Sequence, residues 1–161
     1  MTSADAVLAI DFDDCRDRML TLLGARFDVT TFRSKKNPLG VTAQLKTYLE
    51  GQLDALNDIP VDPGGTPFQQ EVWTALTTIP IGTVTSYGNL AKTLNKPGGS
   101  RAVGLANSKN PISIVIPCHR VIGANGQLTG YAGGVDRKRW LLNHEGAELV
   151  SSSAHQIALP L

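Results

Sequence analysis

The sequence predicts a mixed fold of the α/β (α+β) class, with a small N-terminal strand-plus-helix domain and a mostly helical C-terminal domain. Three observations lead to this prediction. Apolar residues recur at helical spacing in several segments, and a β-branched run at 112–116 has the composition of a buried strand. The proline- and glycine-rich stretch at 57–65 is typical of a linker. We therefore place the domains at 1–62 and 63–150, followed by a loosely ordered tail at 151–161.

The N-terminal domain is expected to begin with a strand at residues 7–12, whose apolar side chains at the even positions share one face. Asp13 and Asp14 then offer side-chain caps to a helix with apolar residues at helical spacing. Cys15 lies in this helix, and we expect its thiol to be part of the core. A second amphipathic helix, with apolar residues between positions 45 and 53, precedes the linker.

The C-terminal domain is predicted to begin with a clearly marked helix. Thr66 to Gln69 has the form of a capping box with proline at the first helical position. Pro80 ends the apolar stripe that follows. Trp73 lies beside that stripe, and we expect it to be structural.

Two short helices joined by a glycine-containing turn at 96–99 come next. Ser100 is expected to cap the second, which runs from Arg101 to about Lys109. Its predicted buried residues are Ala102, Val103 and Ala106. This pattern is typical of a helix-turn-helix in a winged-helix-like unit, although an ordinary pair of antiparallel helices has the same pattern.

The remaining C-terminal segments are a turn and a helix. Residues 123–126 predict a turn with one left-handed residue. Asp136 is expected to cap a last helix at 137–144, with Trp140 and Leu141 packed inward.

Composition and cysteine usage restrict the class of protein. The chain has 161 residues, of which 42% are hydrophobic and 18% charged, as expected for a folded globule. No apolar run approaches the roughly 20 residues of a membrane span, and the N-terminus lacks the features of a signal peptide. The two cysteines lack metal-ligand spacing. We therefore expect a cytoplasmic protein with reduced thiols, no metal and no cofactor.

Charge is unevenly distributed along the chain. Residues 1–84 contain 7 basic and 11 acidic side chains, whereas residues 85–140 contain 8 basic side chains and a single acid, Asp136. A basic segment on an otherwise acidic protein is suited to contact a polyanion. Chance clustering on a solvated surface explains the same charges equally well.

Cys118, His119 and Arg120 follow the β-branched run directly. A thiolate is a strong nucleophile, but a free thiol with a pKa of ~8.5 is mostly protonated at neutral pH and needs a basic or positive neighbour. Adjacent side chains on an extended chain point in opposite directions, so a sharp turn or a bridging water would have to connect Cys118 with His119. Taken alone, the pair is more typical of an inert buried thiol beside a structural imidazole than of a reactive site.

Longer motifs around this cysteine resemble the O6-alkylguanine-DNA alkyltransferase family. The segment Pro117–Ile122 reads Pro-Cys-His-Arg-Val-Ile, and the resemblance continues through 129–134 and through the Trp-Leu-Leu-Asn-His-Glu-Gly segment at 140–146. It extends upstream to 65–73 and is looser from residue 8.

The resemblance implies a catalytic set. Cys118 would accept the alkyl group, His119 would act as its base through a water, and Glu145 would orient His119. Asn110 would brace the turn before the active-site strand. Tyr87 would hydrogen-bond the flipped base and assist the leaving group.

The resemblance also implies how the chain meets DNA. A base inside a duplex is unreachable, so the nucleotide must be flipped out. Arg101 would fill the vacated stack, while the small side chains beside it would let the second helix approach the minor groove. The residues expected at this interface are Ser100, Arg101, Ala102, Gly104 and Tyr87. Those expected to contact the flipped base are Tyr87, Val121, Tyr131 and Ala132, the last through its backbone, with Ala132 standing where many relatives have serine.

By resemblance, the protein would carry out direct-reversal repair of double-stranded DNA, taking the alkyl group from O6-alkylguanine, and less efficiently from O4-alkylthymine, irreversibly onto Cys118. We expect a monomer; cooperative assembly on DNA is left open. Relatives usually begin with a β-hairpin, which we expect to be missing here, so that the N-terminal domain is abbreviated. Some relatives bind zinc through residues that are absent here. The alternatives are a non-catalytic protein that recognises alkylated bases, a cysteine hydrolase, and a transcription regulator.

Overall fold

The computed structural model describes residues 1–28 and 32–149. The predicted tail at 151–161 lies outside them. Helices dominate these ranges, beside a parallel two-stranded sheet in which β1 (Thr85–Ser86) pairs with β2 (Val121–Ile122). The helices are α1 (Arg16–Gly24), α2 (Val41–Leu49), α3 (Pro67–Thr77), α4 (Tyr87–Thr93), α5 (Ser100–Ser108) and α6 (Val135–His144). Short 3₁₀ turns occupy Asp13–Cys15, Pro38–Gly40 and Cys118–Arg120.

The start of α3 confirms the predicted capping box. The Gln69 amide donates to Thr66 Oγ1 at 3.3 Å, and the Thr66 amide donates to Gln69 Oε1 at 2.8 Å, so each residue satisfies the other's backbone. Trp73 is buried, and its indole Nε1 donates to the carbonyl of Ala106 at 2.9 Å. This bond fastens α3 to α5, as expected for a structural residue.

Helices α4 and α5 follow each other as predicted, but α5 begins at a different residue. Ser86 caps α4 by accepting from the Asn89 amide. The N-cap of α5 is Gly99, and Ser100 is already the first helical residue, so the predicted Ser100 cap is wrong. The Gly99 amide donates to the carbonyl of Lys96 at 2.9 Å, and this turn starts the helix one residue before the predicted first residue, Arg101. Ala102 is exposed rather than buried, because the face toward the core carries Val103 and Ala106.

The two strands predicted at 7–12 and 112–116 are wrong, because neither segment forms a continuous strand. Among the described residues, 7–12 make only isolated bridges, from Val7 to Thr2 and Val61 and from Ile10 to Ile112. After its bridge, Ile112 enters a turn in which Ile114 has a φ of 73° and the Ile116 amide donates to Ile112 at 3.1 Å. Local hydrogen bonds within the turn therefore replace the ladder that the β-branched composition suggested.

Several predicted side-chain placements differ as well. Asp13 and Asp14 lie in a 3₁₀ turn and provide no side-chain cap, and Cys15, the last residue of that turn, is only partly buried. Asp136 lies in the first turn of α6, whose N-cap is Gly134. Trp140 is 51% exposed and stacks on His144. Leu141 is buried as predicted.

The core joins residues from both sides of the 57–65 stretch. One cluster of buried apolar side chains contains Val7, Val41 and Tyr48 together with Val72, Leu76, Val103, Ile112 and Leu141. Val7 holds this stretch through two backbone hydrogen bonds of 2.8 Å. Its amide donates to the Pro60 carbonyl, and its carbonyl accepts from the Asp62 amide. The domain boundary at residue 62 stays a prediction. In the described ranges, every helix is too short or too polar to cross a membrane.

Candidate active site

The turn before Cys118 is organised by one buried amide side chain. Asn110 Oδ1 accepts from the Ile112 amide at 2.9 Å, and its Nδ2 donates to the carbonyl of Ile116 at 2.9 Å. The Arg18 guanidinium donates to the Asn110 carbonyl at 2.9 Å from the other side. Asn110 therefore braces the chain between α5 and the cysteine, which is the place that the motif resemblance implied for it.

Cys118 opens the 3₁₀ turn and is buried, with 4% of its surface exposed. Burial raises the pKa of its thiol, while the Asn110 amide and the positive charges of Lys138 and Arg18 work in the opposite direction. A buried thiol of raised pKa is protonated at neutral pH. Nucleophilic chemistry at Cys118 therefore requires a neighbour that takes its proton.

His119 is fully buried and hydrogen-bonds Glu145 at 3.0 Å, from Nε2 to Oε1. Because an ionised carboxylate only accepts hydrogen bonds, Nε2 carries the proton and Nδ1 has a free lone pair. Within residues 1–28 and 32–149, Nδ1 has no hydrogen-bond partner. Burial lowers the pKa of His119, against the opposing effect of Glu145. The imidazole is thus neutral, oriented and able to accept a proton.

Glu145 is held by a buried set of donors. Arg120 donates through Nε to Oε2 and through Nη2 to Oε1, both at 2.8 Å, and its Nη1 donates to the Ile79 carbonyl. The Tyr48 hydroxyl donates to Oε1 at 2.9 Å. Burial acts to raise the pKa of Glu145, but the hydrogen bonds from His119 and Arg120 and the positive charge of Arg120 outweigh it and lower the pKa to about 2. The carboxylate therefore stays ionised inside the core.

The depressed pKa of Glu145 makes part of the stability depend on pH. The pKa is about 2 in the folded chain and 4.5 for an unperturbed glutamate, so the stabilisation is complete above 4.5 and is lost as the pH falls toward about 2. We expect the melting temperature to fall across this window, and Glu145→Gln to remove this part of the fall. Glu50→Gln, at an exposed pair with Lys46, is the matched control. An identical acid profile in all three proteins would contradict the assignment.

Sequence reasoning missed three residues of this site. Arg120 lies within the cysteine motif itself, yet its role as the partner of Glu145 was not predicted. Lys138 is fully buried, and its Nζ donates to the carbonyls of Val121 at 2.6 Å and Thr129 at 2.9 Å. Burial lowers the pKa of Lys138 to about 8. Its position three residues before Leu141, on the same face of α6, was the available indication in the sequence that Lys138 is buried. The sequence gives no such indication for Tyr48, which resembles any core tyrosine.

The predicted base-contact residues differ in their burial and in their hydrogen bonds. The Tyr87 hydroxyl donates to Gly130 at 3.4 Å, and Lys138 Nζ lies 5.9 Å from its ring centroid. Tyr131 has a buried hydroxyl with no partner among the described residues. Val121 is buried, whereas Ala132 is exposed and its carbonyl accepts from the Cys15 thiol at 3.5 Å.

The predicted interface residues lie on α5. Arg101 and Ala102 are exposed, and Ser100 is partly buried at the start of the helix. A Cβ at Gly104 would lie 3.8 Å from the Tyr87 ring, so this glycine packs directly beside that residue. Tyr87 therefore packs against α5, whereas Arg101 lies at the surface. Across the described ranges, no group of three or more His, Cys, Asp and Glu side chains is placed to hold a metal ion.

Comparison with known proteins identifies a family. A family model described as "6-O-methylguanine DNA methyltransferase, DNA binding domain" matches residues 67–147. A methylated-DNA–protein-cysteine methyltransferase of Shigella flexneri is 51% identical over 140 residues, which are 86% of this chain and 82% of that protein.

Two solved structures are also similar. The O6-methylguanine-DNA methyltransferase of Pyrococcus kodakaraensis aligns with a TM-score of 0.69 and 32% identity, over 83% of this chain and 78% of its own. Mycobacterium tuberculosis OGT in complex with DNA aligns with a TM-score of 0.63 and 54% identity, over 66% of each chain. The buried cysteine, histidine and glutamate, the family match over half the chain and these relatives lead to one conclusion: the chain belongs to the 6-O-methylguanine DNA methyltransferase family.

Proposed function

We propose that this chain repairs duplex DNA by direct reversal, transferring the alkyl group of O6-alkylguanine, and less efficiently of O4-alkylthymine, to Cys118. The observation that carries the proposal is the buried imidazole of His119, whose Nε2 is committed to Glu145 while its Nδ1 is unpartnered within the described chain. A base in this state can take the thiol proton through one bridging water. The relatives' names, methylated-DNA–protein-cysteine methyltransferase, describe the same reaction.

The reaction balances with the residues present. His119 Nδ1 takes the proton of Cys118, and the thiolate attacks the alkyl carbon. The new C–S bond forms as the C–O bond breaks, and guanine leaves with the bonding pair. A hydrogen bond from the Tyr87 hydroxyl stabilises the charge that develops on the departing base. The product is a thioether without an activated bond, so each molecule reacts once.

The α4–α5 pair is proposed to act as the helix-turn-helix that meets DNA. Its outer side presents Arg101 and Ala102, and Gly104 packs beside Tyr87 at the inner side. Exposed small residues allow a helix to approach the minor groove, where sequence readout is weak. Such an interface suits a protein that must inspect any sequence. The flipped nucleotide would enter beside Tyr87 and reach Cys118.

Intact-protein mass spectrometry tests the proposal. The full chain is mixed with a duplex that contains one O6-methylguanine, and the adduct is mapped by peptide analysis. We expect one methyl group per protein, on Cys118, with no further reaction on excess duplex. Tight binding without an adduct would indicate a non-catalytic recognition protein, and repeated turnover with an unmodified thiol would indicate a hydrolase; either result overturns the proposal.

Arg101→Ala should weaken repair of duplex DNA much more than reaction with free O6-alkylguanine. Filling the vacated stack offsets a flipping cost of a few kcal/mol, so we expect a loss of about 10- to 100-fold on duplex and little change on the free base. Single-turnover transfer rates on the two substrates measure the difference. Arg16→Ala, an exposed arginine on α1, is the matched control. Equal losses on both substrates would remove Arg101 from this role.

A further inference from the structure

Tyr48 reaches the catalytic carboxylate from a part of the chain that the family model does not include. It lies on α2, before the matched residues 67–147, and is 97 positions from Glu145 in sequence. Only 1% of its surface is exposed, and its hydroxyl donates to Glu145 Oε1 at 2.9 Å. Helix α2 therefore contributes a polar group to the centre of the proposed relay.

The carboxylate oxygen that Tyr48 contacts is the one that orients His119. Oε1 accepts from His119 Nε2 at 3.0 Å, from the Tyr48 hydroxyl at 2.9 Å and from Arg120 Nη2 at 2.8 Å. His119 and Arg120 lie in the same 3₁₀ turn, whereas Tyr48 approaches from another helix. Among the described residues, the Tyr48 hydroxyl is therefore the only hydrogen-bond donor to Oε1 that does not lie on the turn of His119.

Tyr48 can act only as a donor to this carboxylate. Burial and the negative charge of Glu145 raise the pKa of Tyr48 far above its usual value, so the hydroxyl keeps its proton. Tyr48 also holds the preceding residue: its carbonyl accepts from His144 Nε2 at 2.8 Å, and the two rings pack edge to face at 5.0 Å. The end of α6 that carries Glu145 is thus attached to α2 at two adjacent residues.

We infer that Tyr48 is a positioning residue for alkyl transfer, whose hydroxyl holds Glu145 in the orientation that keeps His119 Nδ1 available to the Cys118 thiol. The inference rests on the proposed Cys118–His119–Glu145 relay. Without the hydroxyl, only groups on the turn of His119 hold Oε1, and the carboxylate and imidazole can rotate together. Fewer molecules then have the base correctly placed when the alkylated guanine arrives.

Tyr48→Phe tests the inference, because it removes one oxygen and keeps the ring against His144. Single-turnover transfer is followed at increasing concentrations of a duplex that contains O6-methylguanine. We expect the maximal rate to fall about 3- to 10-fold, the range for one lost hydrogen bond, with the half-saturating duplex concentration unchanged. Val41→Ala, at a buried site of the same helix with an apolar side chain, is the matched control for lost stability. It should transfer at the wild-type rate.

A double-mutant cycle separates a role through Glu145 from a general packing role. In a Glu145→Gln background, where the relay is already impaired, adding Tyr48→Phe should slow transfer no further. If the Glu145→Gln protein does not fold, His119→Gln provides a second background for the same comparison.

Each other outcome has a distinct meaning. Full activity of Tyr48→Phe while Glu145→Gln is slow would overturn the role of Tyr48 and leave the relay intact. Full activity of both variants would overturn the relay itself. If Tyr48→Phe slows transfer by a similar factor in the wild-type and in the Glu145→Gln protein, Tyr48 acts by a route other than Glu145. That result would also reject the inference.

Discussion

Replacing Cys118 with alanine is expected to abolish alkyl transfer while leaving binding of alkylated duplex within about twofold of the wild type. The substitution removes the nucleophile and nothing else in the site can form the C–S bond. The side chain is small and buried, so the loss of one sulfur should cost little stability. The binding surface on α5 is not altered. Transfer is measured by the mass of the intact protein and binding by fluorescence anisotropy of the labelled duplex.

The second cysteine provides the matched control for this experiment. Cys15 is partly buried, and its thiol donates to the carbonyl of Ala132, so it is also near the loop that the family resemblance places against the base. Burial and the nearby Asp11 and Asp14 carboxylates raise the pKa of Cys15. A thiol in acidic surroundings is a poor nucleophile. Cys15→Ala should therefore accept one methyl group as the wild type does, and an adduct on Cys15 would contradict the assignment.

Arg120→Met is expected to destabilise the fold by about 3–5 kcal/mol, because it leaves the Glu145 carboxylate buried with its main charge partner removed. The wild-type pair is shielded from water, with 10% and 1% of the two side chains exposed, and both carboxylate oxygens accept from the guanidinium. Burial of an unpaired carboxylate also raises its pKa. Glu145 would then be protonated in a fraction of the molecules, and in those molecules it would orient His119 less firmly. We therefore expect slower transfer together with a lower unfolding free energy.

Urea unfolding, monitored by tryptophan fluorescence, measures the first effect, and single-turnover transfer below the melting temperature measures the second. Lys46→Met is the control, because the Lys46–Glu50 pair is exposed and should contribute less than about 1 kcal/mol. Arg120→Lys keeps the charge but cannot donate from two nitrogens in a fork, so it should recover only part of the loss. Equal stability of the Arg120→Met and Lys46→Met variants would show that the buried pair contributes nothing unusual.

The helices were the most predictable part of the fold because their signals are local. Thr66 and Gln69 are three residues apart, and the capping box that they form depends only on the geometry of a helix start. The apolar stripe of α3 follows from helical spacing alone. Predictions at single positions were weaker: Ser100, Asp13 and Asp136 have cap-forming side chains, yet the preceding turns place each at a position where it does not cap.

The strands could not be predicted in the same way. A β-branched run becomes a strand only if another strand is available along its length, and residues 112–116 meet the N-terminal segment at one bridge, between Ile10 and Ile112. The side chain of Asn110 then satisfies the backbone groups that a ladder would have used. Composition alone carries no information about which of these hydrogen-bond partners is present.

The sequence by itself predicted the helices and, through motif resemblance, proposed Cys118 as the nucleophile together with His119 and with Glu145, 26 residues beyond His119. Only the tertiary structure decided what surrounds that carboxylate. Arg120 turns inward to pair with it, Tyr48 reaches it from α2, and Lys138 satisfies two carbonyls beside the cysteine. The reason is physical: a spacing in sequence predicts neighbours on one helix, whereas a buried charge acquires its partners from whichever elements the core brings into contact with it.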